Sequence, residues 1–219
     1  MFTAISGATL PATNLFWIRA ALRYVAETAD TVWLQQRSGI LDNAGKFLLQ
    51  MVNADPDQPQ LLKTSGSLMI DVFKRANYTT DANALAVEVF GELGRMYAFL
   101  NNTEEASVYR AAAANITAAL NSRLWRGDHF ATQLNPDGTE TDFVDYDSNL
   151  LATAFVPMSV ERLEAVLQVR AFWLQYQIHG FLLKMVVCSV LTTVRALTLR
   201  RGHTLARNCT YSGEYEYIV

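Results

Sequence analysis

Apolar residues recur every three or four positions through the first quarter of the chain, which is the spacing of one face of an α-helix. Asn14 is a suitable N-cap for a first helix that runs to about Ala29, and Asp30 for a second that runs to about Asn53. The first helix carries an apolar stripe made of Leu15, Ile18, Leu22 and Val25. The pattern therefore predicts two consecutive helices, followed by a loop at 53–60 that is rich in Asp and Pro.

A second pair of helical stripes lies between residues 80 and 125. Thr80 or Asp81 is predicted to start a helix that ends near Leu100, and Thr103 to cap another that ends near Trp125. The two stripes consist of Leu85, Val89, Leu93, Met96 and Leu100, then Ala106, Tyr109, Ala113, Ile116, Leu120 and Leu124. Because the connection is short, the two helices are expected to form an antiparallel αα-hairpin.

The helical pattern stops near residue 129 and resumes near residue 148. The turn signal "NPDG", Asn135 to Gly138, separates "HFATQL" from "TETDFV" and predicts a small β-hairpin near residues 129–144. The stretch "SNLLATAFV" then predicts a short helix that Pro157 ends, and Ser159 is suited to cap "VERLEAVLQ". The expected fold class is all-α, built of αα-hairpins with a small inserted β-hairpin.

The composition fits this class and excludes several functions. The chain has 219 residues, 51% of them hydrophobic and 18% charged, with a net charge of −3, so neither nucleic acid nor an anionic membrane surface is an expected partner. Cys188 and Cys209 make neither a disulfide framework nor a zinc cluster, and His179 and His203 have no partners at ligand spacing, so no metal or cofactor is expected. The first residues do not resemble a signal peptide, and the sequence leaves the localisation open.

The composition changes sharply near residue 168. Between Glu164 and Glu214 the chain has no Asp or Glu, whereas Lys and Arg continue. The stretch "GFLLKMVVCSVLTTVRALTL" is nearly long enough to span a bilayer, but Lys184 and Arg195 interrupt it, which favours a buried helix over membrane attachment. We divide the chain into a domain at 1–168 and an apolar, basic tail at 169–219, and hypothesise that the tail arises from a frameshift, an unspliced intron or a mis-called exon.

Three acids stand where a structural role and a chemical role are both open. The apolar run Leu68–Ile70 ends in Asp71, four residues before Arg75, and an unpaired buried charge is costly. Asp71 is therefore either the partner of a neighbouring cation or a group that does chemistry. Asp145 and Asp147, in "DYD", either contact a ligand or cap the following helix.

Three segments of the chain resemble the six-hairpin, (α/α)6-barrel glycoside hydrolases, which include α-L-rhamnosidase-like, trehalase-like and glucosidase-I-like enzymes. The segments are "DANALAVEVFGELGRMYAFL", "AAAANITAALNSRLW" and "DFVDYDSNLLATAF", and the resemblance covers roughly residues 14–165. It implies that the hairpins form part of an (α/α)6 toroid. A complete toroid needs twelve helices, and at about 11–12 residues or more per helix the chain accommodates roughly half of them.

The resemblance also implies roles for the acids. In trehalase-like and glucosidase-I-like members, an Asp–x–x–x–Arg element precedes the Asn-Ala-Leu helix, and its Asp is the general acid. Asp71 and Arg75 have that spacing before Asn83, which implies that Asp71 is catalytic and that Arg75, Asp145 and Asp147 bind the sugar. The apolar flank of Asp71 would raise the pKa of its carboxyl and help it to donate a proton, whereas Arg75 would lower that pKa unless it turns to bind the sugar or another acid. The chain departs from the pattern in the longer spacing between its Ser-Gly pair and the acid.

The expected function is that of a fragment of an inverting glycoside hydrolase that cleaves a terminal glycosidic bond of a carbohydrate substrate. The family's base carboxylate comes from a late hairpin, and the acid-free tail offers none, so the chain is expected to be inactive if that base is missing. The alternative is a non-catalytic α-helical scaffold or binding module, which the lack of a clear repeat between residues 15–52 and 81–124 disfavours. Exposed faces of a half-barrel would also favour self-association.

The remaining candidates have structural interpretations beside the functional ones. Asp81 is expected to be a helix-start residue and His129 a structural histidine. The aromatic residues that could stack on a sugar are more commonly core residues. They are Trp33, Trp125 and Phe143. Cys188 lies in an apolar run and is expected to be buried.

Overall fold

The structure is a computed structural model that describes residues 11–54, 60–64, 77–142 and 146–168. Five α-helices, α1 to α5, lie in these ranges, and residues 160–168 are also helical. The helices are α1 (Pro11–Thr28), α2 (Thr31–Asn53), α3 (Thr80–Phe99), α4 (Thr103–Ala119) and α5 (Tyr146–Phe155). The strands are β1 (Tyr78–Thr79), β2 (Gln133–Leu134) and β3 (Glu140–Thr141). The all-α class with a small inserted β-hairpin is confirmed.

The β-hairpin belongs to a sheet of three strands in the order β1-β2-β3. β2 and β3 pair antiparallel on either side of the predicted turn, and β1 pairs antiparallel with β2 through Tyr78–Leu134 and Thr79–Gln133. β1 was not predicted, because a two-residue strand has no alternation of its own and forms only against a partner far along the chain. It joins the start of α3 to the hairpin.

One of three predicted helix caps is confirmed, and two are wrong. Asp30 caps α2, its carboxylate accepting a hydrogen bond from the Trp33 amide at 2.9 Å. Asn14 is wrong as a cap, because it lies inside α1 and is buried there. Thr103 is also wrong, because Asn102 holds the cap position of α4 and accepts from the Glu105 amide at 3.2 Å.

α3 is the central helix of the described residues. It packs against α4, its hairpin partner, and also against α1 and α5, while α2 packs on α1. Residues along most of its length are buried, which suits its run of small and aliphatic side chains. α3 therefore contacts both α1 and α5, while α2 packs on α1 and α4 packs on α3.

Trp125 ends a π-helical turn, Leu120–Leu124, that continues α4. Its ring meets Phe130 edge-to-face at 5.0 Å between centroids, and the Arg162 guanidinium carbon lies 4.8 Å from the Trp125 ring centroid. Trp33 and Trp125 both pack against the hydrophobic core as partly buried residues, in line with the structural interpretation.

Several sequence predictions fall outside the described ranges. The tail, with His179, Cys188 and His203, lies there, as does Phe143. The division of the chain at residue 168 and the proposed origin of the tail therefore stay predictions. Within the ranges that are described, no helix has the length and apolar character needed to cross a membrane.

Candidate functional site

The start of α3 is fixed to the chain segment that leads into β2. The Thr80 hydroxyl donates to the Ala131 carbonyl at 2.5 Å, and the Thr80 amide donates to the Thr132 carbonyl at 3.0 Å. Both hydrogen bonds are buried, since Thr80 and Thr132 have no exposed surface. They satisfy polar groups that the start of a buried helix would otherwise leave unpaired.

The start of α5 is fixed to Phe130, the preceding residue of the same segment. Asn149 accepts from the Phe130 amide at 2.8 Å through Oδ1 and donates to the Phe130 carbonyl at 3.1 Å through Nδ2. The side-chain amide thus binds both backbone groups of one residue. Because α3 binds residues 131–132 and α5 binds residue 130, the two helix starts meet at one place.

Asn83 makes the same arrangement with a different segment. Its Oδ1 accepts from the Leu62 amide at 2.7 Å, and its Nδ2 donates to the Leu62 and Thr79 carbonyls at 3.1 and 2.8 Å. Asn83 and Asn149 are fully or almost fully buried. We call these two residues the asparagine clamps; each attaches a helix to a chain segment beside its first turn.

A pair of backbone hydrogen bonds closes the chain between Thr64 and Asn77. The Thr64 amide donates to the Asn77 carbonyl at 2.6 Å, and the Asn77 amide to the Thr64 carbonyl at 2.9 Å. Asn77 has φ +67°, a left-handed conformation that Asn tolerates better than most residues. Residues 64 and 77 therefore lie side by side next to the start of α3.

The predicted catalytic acid Asp71 and its neighbour Arg75 lie outside the described residues, as does Asp145. In the sequence, Asp71 and Arg75 fall between the paired residues Thr64 and Asn77. Their roles as the acid and as sugar ligands stay predictions.

Two aspartates lie in the first turns of α3 and α5. Asp81 is 1% exposed and its Oδ1 accepts from the Ala82 amide at 2.7 Å, as the helix-start interpretation expects. Asp147 lies in the first turn of α5 and is partly exposed. The alternative that Asp147 caps α5 is wrong, because the helix begins one residue earlier, at Tyr146.

The sequence analysis missed the clamps, although a signal for them exists. The stretches "DANALA", residues 81–86, and "DSNLLA", residues 147–152, share Asp, Asn, Leu and Ala at the same positions. This short repeat lies outside the comparison of residues 15–52 with residues 81–124, because its second copy begins at Asp147. The shared Asn is the clamp in both.

A second polar cluster lies between α2, α3 and α4. The Tyr97 hydroxyl donates to the Asp42 carboxylate, and Lys46 lies 2.9 Å from Asp42 and 3.8 Å from Glu105. Burial, and then the bond to Asp42, raises the pKa of Tyr97, so the phenol stays protonated. The cluster joins three helices, and its hydrogen bond and ion pairs link its side chains to one another, so we assign it to packing.

The residues that the structure describes hold no group of three or more His, Cys, Asp or Glu side chains arranged to bind a metal ion. The starts of α3 and α5 carry the carboxylates of Asp81 and Asp147 and the side-chain amides of Asn83 and Asn149.

No protein-family model matches the chain, and no curated protein matches it. Among solved structures, it is similar to the GH78 family rhamnosidase of Bacillus sp. GL1, with a TM-score of 0.61 and 20% sequence identity. The match covers 72% of this chain and 17% of that chain. The likeness shows that this chain has a glycoside hydrolase-like helical fold and spans a small part of the length of that neighbour.

Proposed function

We propose that the chain is part of an inverting glycoside hydrolase that cleaves a terminal glycosidic bond, and that its sugar site lies at the joined starts of α3 and α5. The observation that carries the proposal is the meeting of these two helix starts on residues 130–132. In the sequence, Asp145 immediately precedes α5, and Asp71 precedes the start of α3 by nine residues. The fold likeness to a rhamnosidase supports the class of reaction.

The proposed reaction needs an acid and a base. Asp71 gives its proton to the leaving oxygen as the glycosidic C–O bond breaks, while a base carboxylate takes a proton from the water that attacks the opposite face of the anomeric carbon. Arg75, Asp145 and Asp147 bind hydroxyl groups of the sugar. The acid-free stretch from residue 165 to residue 213 contains no candidate base, so the base is the missing element of this proposal.

The non-catalytic scaffold remains a second candidate for a specific reason. Asn83 and Asn149, the motif residues that carried much of the resemblance, bind backbone groups of their own chain. Their occurrence thus follows from the fold and does not require a reaction. A carbohydrate-binding module of stacked hairpins would retain both clamps.

An activity measurement with matched variants separates the two. Hydrolysis of p-nitrophenyl α-L-rhamnopyranoside, and of a panel of other p-nitrophenyl glycosides, is measured for the wild-type chain and for Asp71→Asn. We expect Asp71→Asn to lower the rate by at least about 100-fold, because general acid catalysis contributes about 10²–10⁴-fold. The helical circular dichroism signal should be unchanged.

Asp30→Asn is the control. Asn caps helices about as well as Asp, and Asp30 lies at the start of α2, so this variant should keep the wild-type rate. An unchanged rate in Asp71→Asn would remove Asp71 from the mechanism. Because residues 165–213 contain no candidate base, a wild-type chain that binds a glycoside of the panel without hydrolysing it fits an incomplete hydrolase. A wild-type chain that neither binds nor hydrolyses any member of the panel would overturn the proposal.

A further inference from the structure

His129 is held between two carboxylates, one on each ring nitrogen. Nδ1 lies 2.6 Å from Asp128 Oδ1, and Nε2 lies 2.8 Å from Asp142 Oδ1. A neutral imidazole has one N–H and can donate to only one of them, whereas the imidazolium donates to both. The geometry is therefore that of the charged ring.

The contacts join two parts of the hairpin. Asp128 is the neighbour of His129 in the turn between Trp125 and Phe130, whereas Asp142 directly follows β3. The bond from Nε2 thus connects residues 13 positions apart. We call His129 with Asp128 and Asp142 the histidine bridge.

The charges around the ring favour its protonated form. Arg126 and Glu140 form an ion pair beside the bridge, and the Arg126 amide donates to the His129 carbonyl at 2.8 Å. The opposite charges of Arg126 and Glu140 compensate each other. The charges that act on the His129 ring are therefore those of the Asp128 and Asp142 carboxylates. Burial alone lowers the pKa of His129, but the hydrogen bonds that the ring donates to Asp142 and Asp128 outweigh it and raise the pKa above 6.5.

We propose that the histidine bridge is a pH-sensitive connection that holds the 125–130 turn against the end of β3 when His129 is protonated and releases one carboxylate when the ring loses a proton. The connection lies one residue from Phe130, which Asn149 binds at the start of α5. Release of the bridge therefore loosens residues 130–132, which bind the starts of α3 and α5. This inference does not depend on glycosidase activity.

The direction of the pH effect follows from the sign of the shift. The folded chain holds the His129 proton more tightly than the unfolded chain does, so the stabilisation is fully present below about pH 6.5. It is lost as the pH rises through the raised pKa of the folded protein. The hairpin should consequently be more protected in mildly acidic solution than in mildly alkaline solution.

NMR spectroscopy on the full chain tests the proposal. The ring Hε1 signal of His129 is titrated in the wild type, in Asp142→Asn and in the control Asp137→Asn, whose side chain lies at the hairpin turn and contacts Thr139. We expect a midpoint above 6.5 in the wild type and the control, and a lower midpoint in Asp142→Asn, because it loses a nearby opposite charge.

Hydrogen exchange supplies an independent readout. The Thr132 amide, which donates to the Thr141 carbonyl at 3.1 Å next to Asp142, reports on the sheet. Its protection factor should fall about tenfold between pH 6 and pH 8.5 in the wild type and change little in Asp142→Asn. A wild-type midpoint at or below 6.5, or an equal fall in both proteins, would overturn the proposal.

Discussion

At the scale of single residues, the buried amides Asn83 and Asn149 explain most about how the chain is held together. Each binds the amide and the carbonyl of one backbone residue, Leu62 or Phe130, in a place with no access to water. Buried polar groups that keep their partners are inexpensive, whereas those that lose them cost the full desolvation free energy. The sequence could not assign this role, because an Asn in a helix also serves as a cap, a ligand or a surface residue.

Asn83→Ala should lower the free energy of unfolding by about 2–3 kcal/mol, because it leaves the buried amide and carbonyl of Leu62 and the carbonyl of Thr79 without this partner. Urea denaturation followed by circular dichroism measures the change. Asn115→Ala, an exposed position on α4, is the control and should stay within about 0.5 kcal/mol of the wild type. Equal losses in the two variants would show that Asn83 is not a clamp.

At the scale of elements, long helices were predictable and their ends were less so. The stripes of α3 and α4 gave both helices to within a few residues, because a 3.6-residue period over several turns is a strong signal. Caps depend on a single side chain, and Asn102 and Thr103 are both acceptable there, so the local sequence did not decide between them. β1 forms by pairing with β2, and its two residues alone carry no sequence pattern that predicts a strand.

The contact of α2 with α3 and α4 gives an element-scale prediction. A Cβ added at Gly45 would lie 2.6 Å from the Tyr109 hydroxyl and 2.9 Å from Leu93 Cδ1, whereas nothing lies within 4 Å at Gly39 of the same helix. Gly45→Ala should therefore destabilise the protein by about 1–3 kcal/mol through overpacking. Gly39→Ala should stabilise it by about 0.5–1 kcal/mol through helix propensity.

Thermal or urea unfolding of the two alanine variants provides the comparison. Because both substitutions are made in α2, intrinsic propensity contributes equally and the difference reports on packing. If Gly45→Ala is as stable as Gly39→Ala, then α2 does not pack closely enough on Tyr109 to exclude a methyl group at position 45.

At the scale of the whole molecule, the helical class followed from the sequence, whereas the place of the proposed site followed only from the structure. The periodicity and the Asn-Pro-Asp-Gly turn were enough for the all-α fold with its hairpin. The site needs the convergence of α3 and α5, and that depends on hydrogen bonds from Thr80 and Asn149 to residues 130–132, which are distant in the sequence. Self-association through exposed helix faces stays a proposal at this scale.

The central claim is that the joined starts of α3 and α5 bind a sugar. Two-dimensional ¹⁵N–¹H NMR spectra of the labelled full chain, titrated with L-rhamnose and a panel of other monosaccharides, test it most directly. We predict saturable shifts that cluster at the amides of residues 80–83, 130–133 and 147–149, with little change along α2 and α4. Shifts confined to α2 and α4, or no shifts at saturating sugar, would contradict the account.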